Sequence, residues 1–137
     1  MIYNVSPTAK VRQTQSDRWK QRPCVMRYRA FADKLRALGC TLQDGDSIIF
    51  WIATPTSWSA KKAAAHAGQF HRSRPDLDNL LGGLMDAVLP KVDSHVAVLG
   101  RVEKRWTEFA GRIEILRDAK YDAQRTEAES QSEPPSL

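Results

Sequence analysis

Two stretches of the chain repeat apolar residues with the spacing of a helix that buries one side. In the first, the apolar positions are Val25, Tyr28, Phe31, Ala32, Leu35 and Leu38. In the second, they are Leu80, Leu81, Leu84, Met85, Val88 and Leu89. Because residues three and four apart share one side of a helix, both patterns predict helices packed on a core. Pro23 suits a first helical turn and Gly39 a helix end, so we expect helices over 23–38 and about 78–89.

Other stretches follow the patterns of β-strands. Residues 47–53 are an apolar run rich in β-branched and aromatic residues, which predicts a strand buried on both faces. Residues 96–102 and 112–116 alternate apolar and polar side chains, and we interpret them as a hairpin with a turn around 106–111. Residues 2–9 predict a short first strand.

The remaining segments are predicted to be connections. Residues 10–22 are polar and aperiodic, as expected of an exposed loop, and residues 54–75 suggest a mobile connection with a short helical piece. The order of elements indicates a single α+β domain, a mixed sheet of about four strands with two main helices packed on one face. We place this domain at 1–117 and expect the polar, acidic residues 118–137 to be a disordered tail.

Charge is spread unevenly along the chain. The net charge of +5 is divided into +9 over residues 1–75, −1 over 76–117 and −3 over 118–137. A basic part next to a segment that carries carboxylates suits a protein that binds a polyanion. Many cytosolic domains with a sequence pI near 9.5 bind no nucleic acid, so charge alone leaves the question open.

The sequence gives little sign of export or of a membrane. It has no window of eighteen apolar residues and no evident signal peptide. Cys24 and Cys40 bracket the first predicted helix, so their Cα atoms should lie roughly 24 Å apart, too far for a disulfide. A reduced, cytoplasmic protein is the simplest interpretation.

The candidate chemistry lies in Asp76 and Asp78, at the start of the second helix, and in Asp93 beyond its end. Two residues apart in extended or turn backbone, Asp76 and Asp78 project to the same side. Convergent carboxylates beside a basic surface are what metal-assisted hydrolysis of nucleic acid requires. From spacing alone the more ordinary explanation is favoured, in which these aspartates cap a helix or form a turn and Asp93 is a loop residue.

The run Arg74-Pro75-Asp76-Leu77-Asp78-Asn79-Leu80, followed by Val92-Asp93-Ser94-His95-Val96, resembles the RusA-type Holliday junction resolvases, which are common in prophages. Three further stretches are similar to phage members of this family. They are Asp17 to Val25 leading into Tyr28-Arg29-Ala30-Phe31, Pro55 to Lys62, and Lys104-Arg105-Trp106 with Gly111 to Ile115. The resemblance covers about residues 5–117, in family order.

The resemblance implies a homodimer that binds four-way DNA junctions by shape, in DNA recombination and repair, and cuts paired strands symmetrically. It implies Mg²⁺ as cofactor, with Mn²⁺ as a substitute, and Asp76, Asp78 and Asp93 as the catalytic, metal-binding carboxylates. It places the protein in the cytoplasm of a bacterial or phage-infected cell, acting at the nucleoid.

Two positions depart from the family pattern. A lysine thought to help stabilise the transition state usually stands where this chain has Gly82, and an acid often stands where it has Val92. Lys91, Lys61 and Lys62 are candidates to replace the lysine. The segment from Asp78 to Asp93 is also a few residues shorter than is usual in the family.

The expected DNA contacts are basic residues with one aromatic among them. They are Lys10, Arg12, Arg18, Trp19, Lys20, Arg22, Lys61, Lys62, Arg72 and Arg74. Taken alone, the loop around Trp19 is better explained as solvated, with the indole packed on the first helix, and it is the resemblance to the family that favours DNA contact. Trp51 and Trp58 are expected in the core or an interface, and His95 on the surface or at a strand edge rather than as a ligand.

Three hypotheses follow. The chain is an active resolvase, or it keeps the DNA surface of the family but has lost efficient catalysis, as Gly82 suggests. In the third, it is a metal-free interaction module in which Asp76 and Asp78 only cap a helix.

Overall fold

The computed structural model describes residues 1–11, 22–89 and 96–121 of the chain. In chain order its elements are β1 (Ile2–Tyr3), α1 (Pro23–Ala37), β2 (Ser47–Ala53), α2 (Ala60–His66), α3 (Leu77–Val88), β3 (Val102–Thr107) and β4 (Arg112–Leu116). The strands form one four-stranded mixed sheet in the order β1-β4-β2-β3. The predicted α+β class with a single sheet is confirmed.

The two main helices form where the apolar spacing predicts them. α1 begins at Pro23, which lacks the N–H that a first helical turn leaves unpaired. It ends before Gly39, whose φ of 72° is left-handed, and the Cys40 N–H then donates to the Leu35 carbonyl at 3.0 Å. The short helical piece expected within 54–75 is α2, which Ser59 caps by accepting from the Lys62 N–H.

The core lies between one face of the sheet and the helices α1 and α3. The sheet contributes Ile48, Phe50, Ile113 and Ile115, all fully buried, and the helices contribute Phe31, Ala32, Leu35, Leu80, Leu84 and Ala87. Each fully buried large side chain stabilises the fold by roughly 1.5–3 kcal/mol. α3 is therefore fixed to the core along its length, and its first turn is placed at one edge of the domain.

β2 was predicted to be buried on both faces, and this is wrong. Ile48 and Phe50 are fully buried under the helices, but Ile49 and Trp51 on the opposite face are only partly buried. On that face the Trp51 indole donates to Glu114 at 3.0 Å and lies under the guanidinium of Arg112. Polar partners from β4 thus take the place of a second apolar layer.

The predicted hairpin of 96–102 with 112–116 is also wrong. β3 begins only at Val102, and β2 lies between β3 and β4, parallel to the first and antiparallel to the second. Residues 96–101 instead bond to the turn before β2. Ala97 N–H donates to the Asp44 carboxylate, Gly45 N–H to the Val98 carbonyl, and Gly100 N–H to the Asp46 carbonyl.

The first strand is shorter than the predicted 2–9. The Val5 N–H donates to the Tyr3 carbonyl at 2.8 Å, which turns the chain away from β4 after Tyr3. Residues 8–10 then run along α3. Most of the predicted loop at 10–22 and of the predicted tail at 118–137 lies outside the described residues. Within the described ranges, no helix has the length and apolar character needed to cross a membrane.

Candidate active site

Asp76 and Asp78 lie on either side of the start of α3, and both are exposed. Asp76 occupies the N-cap position with extended backbone, and Asp78 lies in the first turn. Leu77, between them, is half-buried and packs against the core. The alternation of exposed, half-buried and exposed residues leaves both aspartates open to solvent.

The carboxylate of Asp76 does not cap the helix, although it stands at the capping position. An N-cap side chain normally accepts from the N–H of the second or third helical residue, and Asp76 makes no such bond. Within the described part of the chain, the carboxylates of Asp76 and Asp78 accept no hydrogen bond and form no ion pair. The capping explanation of this pair therefore lacks its characteristic contact.

Lys104 anchors the segment that leads into Asp76. Its Nζ donates to the Ser73 carbonyl at 2.6 Å and to the Pro75 carbonyl at 2.7 Å. Its own carbonyl accepts from the His71 N–H at 2.9 Å. The segment 71–75, with a cis peptide bond between Arg74 and Pro75, is thereby attached to β3 immediately before the carboxylate pair.

His71 is buried beside this anchor. Its ring lies 4.2 Å from that of Trp106, and its Nδ1 has no hydrogen-bond partner among the described residues. Burial, together with the charge of Lys104, lowers the pKa of His71 below its ordinary value of 6.5, so the ring is neutral at neutral pH.

Aromatic rings extend from His71 towards the surface. Trp58 lies 4.9 Å from Trp106 and 4.7 Å from His66, and the Lys62 ammonium sits 4.4 Å above Trp58. Trp58 is only partly buried, so it belongs to a surface cluster rather than to the core.

The predicted basic residues that the structure describes lie at several places around α3. Lys61 and Lys62 are exposed on α2, and Arg72 and Arg74 are exposed in the segment that precedes Asp76. Arg22 precedes α1. Lys10 lies against α3, where its N–H donates to the Asn79 carbonyl at 3.1 Å.

The other predicted site residues lie outside the described residues. These are the carboxylate Asp93, the basic residues Arg12, Arg18 and Lys20, and Trp19. Lys91 and His95 lie outside them as well. Within residues 1–11, 22–89 and 96–121, no three His, Cys, Asp or Glu side chains lie close enough together to hold a metal ion. The described part of the site therefore offers two carboxylates.

The sequence did not single out Phe70. Its side chain is 46% exposed and carries the guanidinium of Arg105 at 4.3 Å and that of Arg72 at 5.8 Å. Phe70 also forms an isolated antiparallel bridge with Arg105. The signal in the sequence was an aromatic residue two positions before Arg72, a predicted DNA contact. Because a single pair of this kind is common in protein sequences, it did not identify Phe70.

The fold and the site together have the parts of a nuclease. Two exposed carboxylates with no side-chain partner in the described ranges stand at a helix start, and exposed arginines directly precede them in the chain. The family model described as endodeoxyribonuclease RusA matches residues 4–116 of the 137. The chain therefore belongs to the RusA endodeoxyribonuclease family, the RusA-type Holliday junction resolvases, as the resemblance of its motifs implied. Neither the curated proteins nor the solved structures gave a match.

Proposed function

We propose that this protein is a Mg²⁺-dependent endonuclease that resolves four-way DNA junctions by symmetric hydrolysis of two phosphodiester bonds. The observation that carries the proposal is the pair Asp76 and Asp78, at the start of a core-anchored helix in a chain of the RusA family. Both carboxylates are exposed and have no side-chain partner among the described residues. Carboxylates with no structural partner are available to bind a ligand.

The carboxylate pair fits a divalent metal ion. Carboxylate oxygens are the ligands that Mg²⁺ and Mn²⁺ prefer, and one or two of them commonly suffice when phosphate oxygens and waters complete the shell. Asp93 is the expected third carboxylate. When bound, the ion supplies an activated water and offsets charge on the scissile phosphate.

The side chains around this pair prepare the site for DNA. Lys104 fixes the backbone that carries Asp76, so the carboxylate is held before DNA arrives. Arg72 and Arg74, directly before Asp76 in the chain, and Lys61 and Lys62 on α2 would supply the positive charge that a phosphate coming to the carboxylates needs. A four-way junction has two-fold symmetry, which suits a homodimer that presents two such sites. We place this activity in DNA recombination and repair, at the nucleoid.

The second candidate is a protein that binds branched DNA without cutting it efficiently. Gly82 favours it, because it puts no side chain on the turn of α3 that follows Asp78, where the family usually has lysine. Both candidates predict binding to junctions, and only the first predicts cleavage.

The test is cleavage of a labelled synthetic four-way junction, with a linear duplex of the same sequence as the control substrate. Wild-type protein in Mg²⁺ should give symmetric nicks on the junction alone, and EDTA should abolish them. Asp78→Asn should slow cleavage by roughly a hundredfold or more, because it removes a metal ligand. It should leave junction binding intact or tighter, because it removes a negative charge near phosphate.

Asp33→Asn is the matched control, since Asp33 is an exposed carboxylate on α1 whose contact is a surface pair with Arg36. It should cleave like the wild type. Tight junction binding with no cleavage in Mg²⁺ or Mn²⁺ would favour the binding-only protein. No calorimetric uptake of Mn²⁺, with or without DNA, would favour the metal-free interaction module.

A further inference from the structure

Lys10 lies across the side of α3 that begins with Asp78. Asp78, Gly82 and Asp86 are four residues apart and share this side of the helix. The Lys10 Cδ stands 3.8 Å from the place that a Cβ on Gly82 would occupy, and its Nζ lies 2.6 Å from Asp86. The lysine side chain thus covers the surface that Gly82 leaves open.

Gly83 is what lets the chain come so close to α3. A Cβ at this position would lie 2.9 Å from the Thr8 carbonyl oxygen and 3.0 Å from the Lys10 nitrogen. The Lys10 N–H is also bonded to the Asn79 carbonyl. The backbone of Lys10 is therefore fixed one turn beyond Asp78, and only its side chain is free to change direction.

Lys10 can exchange its contact with Asp86 for a contact with another partner. Both side chains are about half exposed, at 53% and 49%, and solvent screens such pairs strongly. Asp78 and Asp86 each lie about 6 Å from Gly82 along the helix axis, a distance that a lysine side chain spans. Hydrogen bonding to Asp86 raises the pKa of Lys10, so the ammonium is charged at neutral pH.

We propose that Lys10 leaves Asp86 when DNA binds and contacts a phosphate at the Asp76 and Asp78 end of α3. Segment 8–10 would thereby provide a cation on a side of the helix where α3 itself has only carboxylates and a glycine. Negative charge develops on the scissile phosphate in the transition state, and an ammonium positioned beside the carboxylates would offset part of it alongside the ion that the carboxylates would hold. Asp86 holds the lysine while DNA is absent. This inference rests on the proposed function.

The test compares Lys10→Met with Asp86→Asn in single-turnover cleavage of the four-way junction, at protein concentrations that saturate the DNA. Both variants lose the ion pair, but only Lys10→Met loses the cation. Lys10→Met should cleave roughly tenfold more slowly or worse, a loss that extra protein does not restore. Asp86→Asn should cleave at least as fast as wild type, because it removes the competitor for Lys10.

A second variant tests whether a positive charge on this side of α3 affects the cleavage rate. A Cβ on Gly82 would meet only the flexible Lys10 side chain, at an ordinary contact distance of 3.8 Å, so the position accommodates a side chain. Gly82→Lys added to Lys10→Met should therefore restore most of the lost rate. An unchanged rate in Lys10→Met, an equal loss in Asp86→Asn, or no recovery with Gly82→Lys would each overturn the inference.

Failure of this inference is distinguishable from failure of the proposed function. If wild-type protein cuts the junction and Asp78→Asn does not, the nuclease proposal stands whatever Lys10→Met does. If wild-type protein does not cut the junction, the nuclease proposal fails, and the inference about Lys10 fails as well.

Discussion

His71 combines burial, a ring nitrogen without a described partner and a nearby ammonium, that of Lys104. Each of these opposes protonation of the imidazole in the folded protein. In the unfolded chain the same ring is solvated and takes up a proton at its ordinary pKa of 6.5. Protonation of His71 therefore favours the unfolded state, because the pKa of its imidazole is lower in the folded protein than in the unfolded chain.

We expect the free energy of unfolding to fall as pH drops below 6.5 towards the lowered pKa of folded His71. Above 6.5 this residue adds no pH dependence, because it is neutral in both states. His71→Phe keeps an aromatic ring against Trp106 but removes the titrating group. The decrease in the free energy of unfolding that His71 causes between pH 7 and 5, measured by urea unfolding, should therefore be absent in this variant. His66→Gln should keep it. An equal slope in wild type and His71→Phe would contradict the assignment.

At this scale the carboxylate pair was expected from the sequence, but its surroundings were not. The position of Asp76 and Asp78 at a helix start was predictable because the apolar spacing of α3 is a local pattern. Lys104 comes from β3 and bonds to Ser73 and Pro75, which lie 31 and 29 residues earlier in the chain, and no local pattern records that contact. His71 is close to the pair in sequence, but its burial depends on the same distant strand, whose Lys104 carbonyl accepts from the His71 N–H. Phe70 was not predicted because its partner, Arg105, is also distant along the chain.

Among the elements, α3 contains a glycine pair that local propensity alone does not explain. Gly82 and Gly83 each weaken a helix by roughly 1 kcal/mol relative to alanine. The packing separates their roles. Gly83 meets backbone atoms of Thr8 and Lys10 and accepts a hydrogen bond from Tyr28 on its carbonyl, while Gly82 faces only a flexible lysine side chain.

Alanine substitutions at these two positions should therefore have opposite effects. Gly83→Ala should lower the free energy of unfolding by roughly 1–3 kcal/mol, because its Cβ overlaps backbone that cannot easily move. Gly82→Ala should raise it by up to about 1 kcal/mol, through helix propensity. Urea unfolding of the two variants measures both. Equal effects would mean that segment 8–10 does not pack on α3 in solution.

The elements also show where a local pattern misleads. Residues 96–101 alternate like a strand. Their backbone groups, however, form hydrogen bonds with Asp44, Gly45 and Asp46 in the turn before β2 and with Ser47 at its start. The alternation then continues without a break into β3, which begins at Val102. The two helices were predicted closely because their spacing depends on local geometry, whereas strand partners depend on distant residues.

For the whole molecule, the uneven charge predicts how DNA binding responds to salt. Residues 1–75 carry a net charge of +9, and their exposed cations include Lys61 and Lys62 on α2. Each lysine that contacts a phosphate releases counterions when DNA binds.

We expect the logarithm of the junction association constant to fall linearly with the logarithm of salt concentration. Lys61→Met and Lys62→Met should each make this slope shallower by about 0.9, the value for one phosphate contact. Lys34→Met, which removes an exposed charge on α1, should leave the slope close to that of wild type. Fluorescence anisotropy with a labelled junction measures all four proteins. Identical slopes would place the DNA elsewhere on the surface.

β2 lies at the centre of the sheet, yet both of its neighbours come later in the chain, at 102–107 and 112–116. While the protein is being synthesised, α1, β2 and α3 emerge before either neighbouring strand exists. During that interval Ile48 and Phe50 have helices to pack on but no strand to pair with, and unpaired strand edges promote aggregation. The sheet can close only when β4 has left the ribosome, so a chain released before residue 112 would keep the apolar centre of the domain open to other nascent chains and to chaperones.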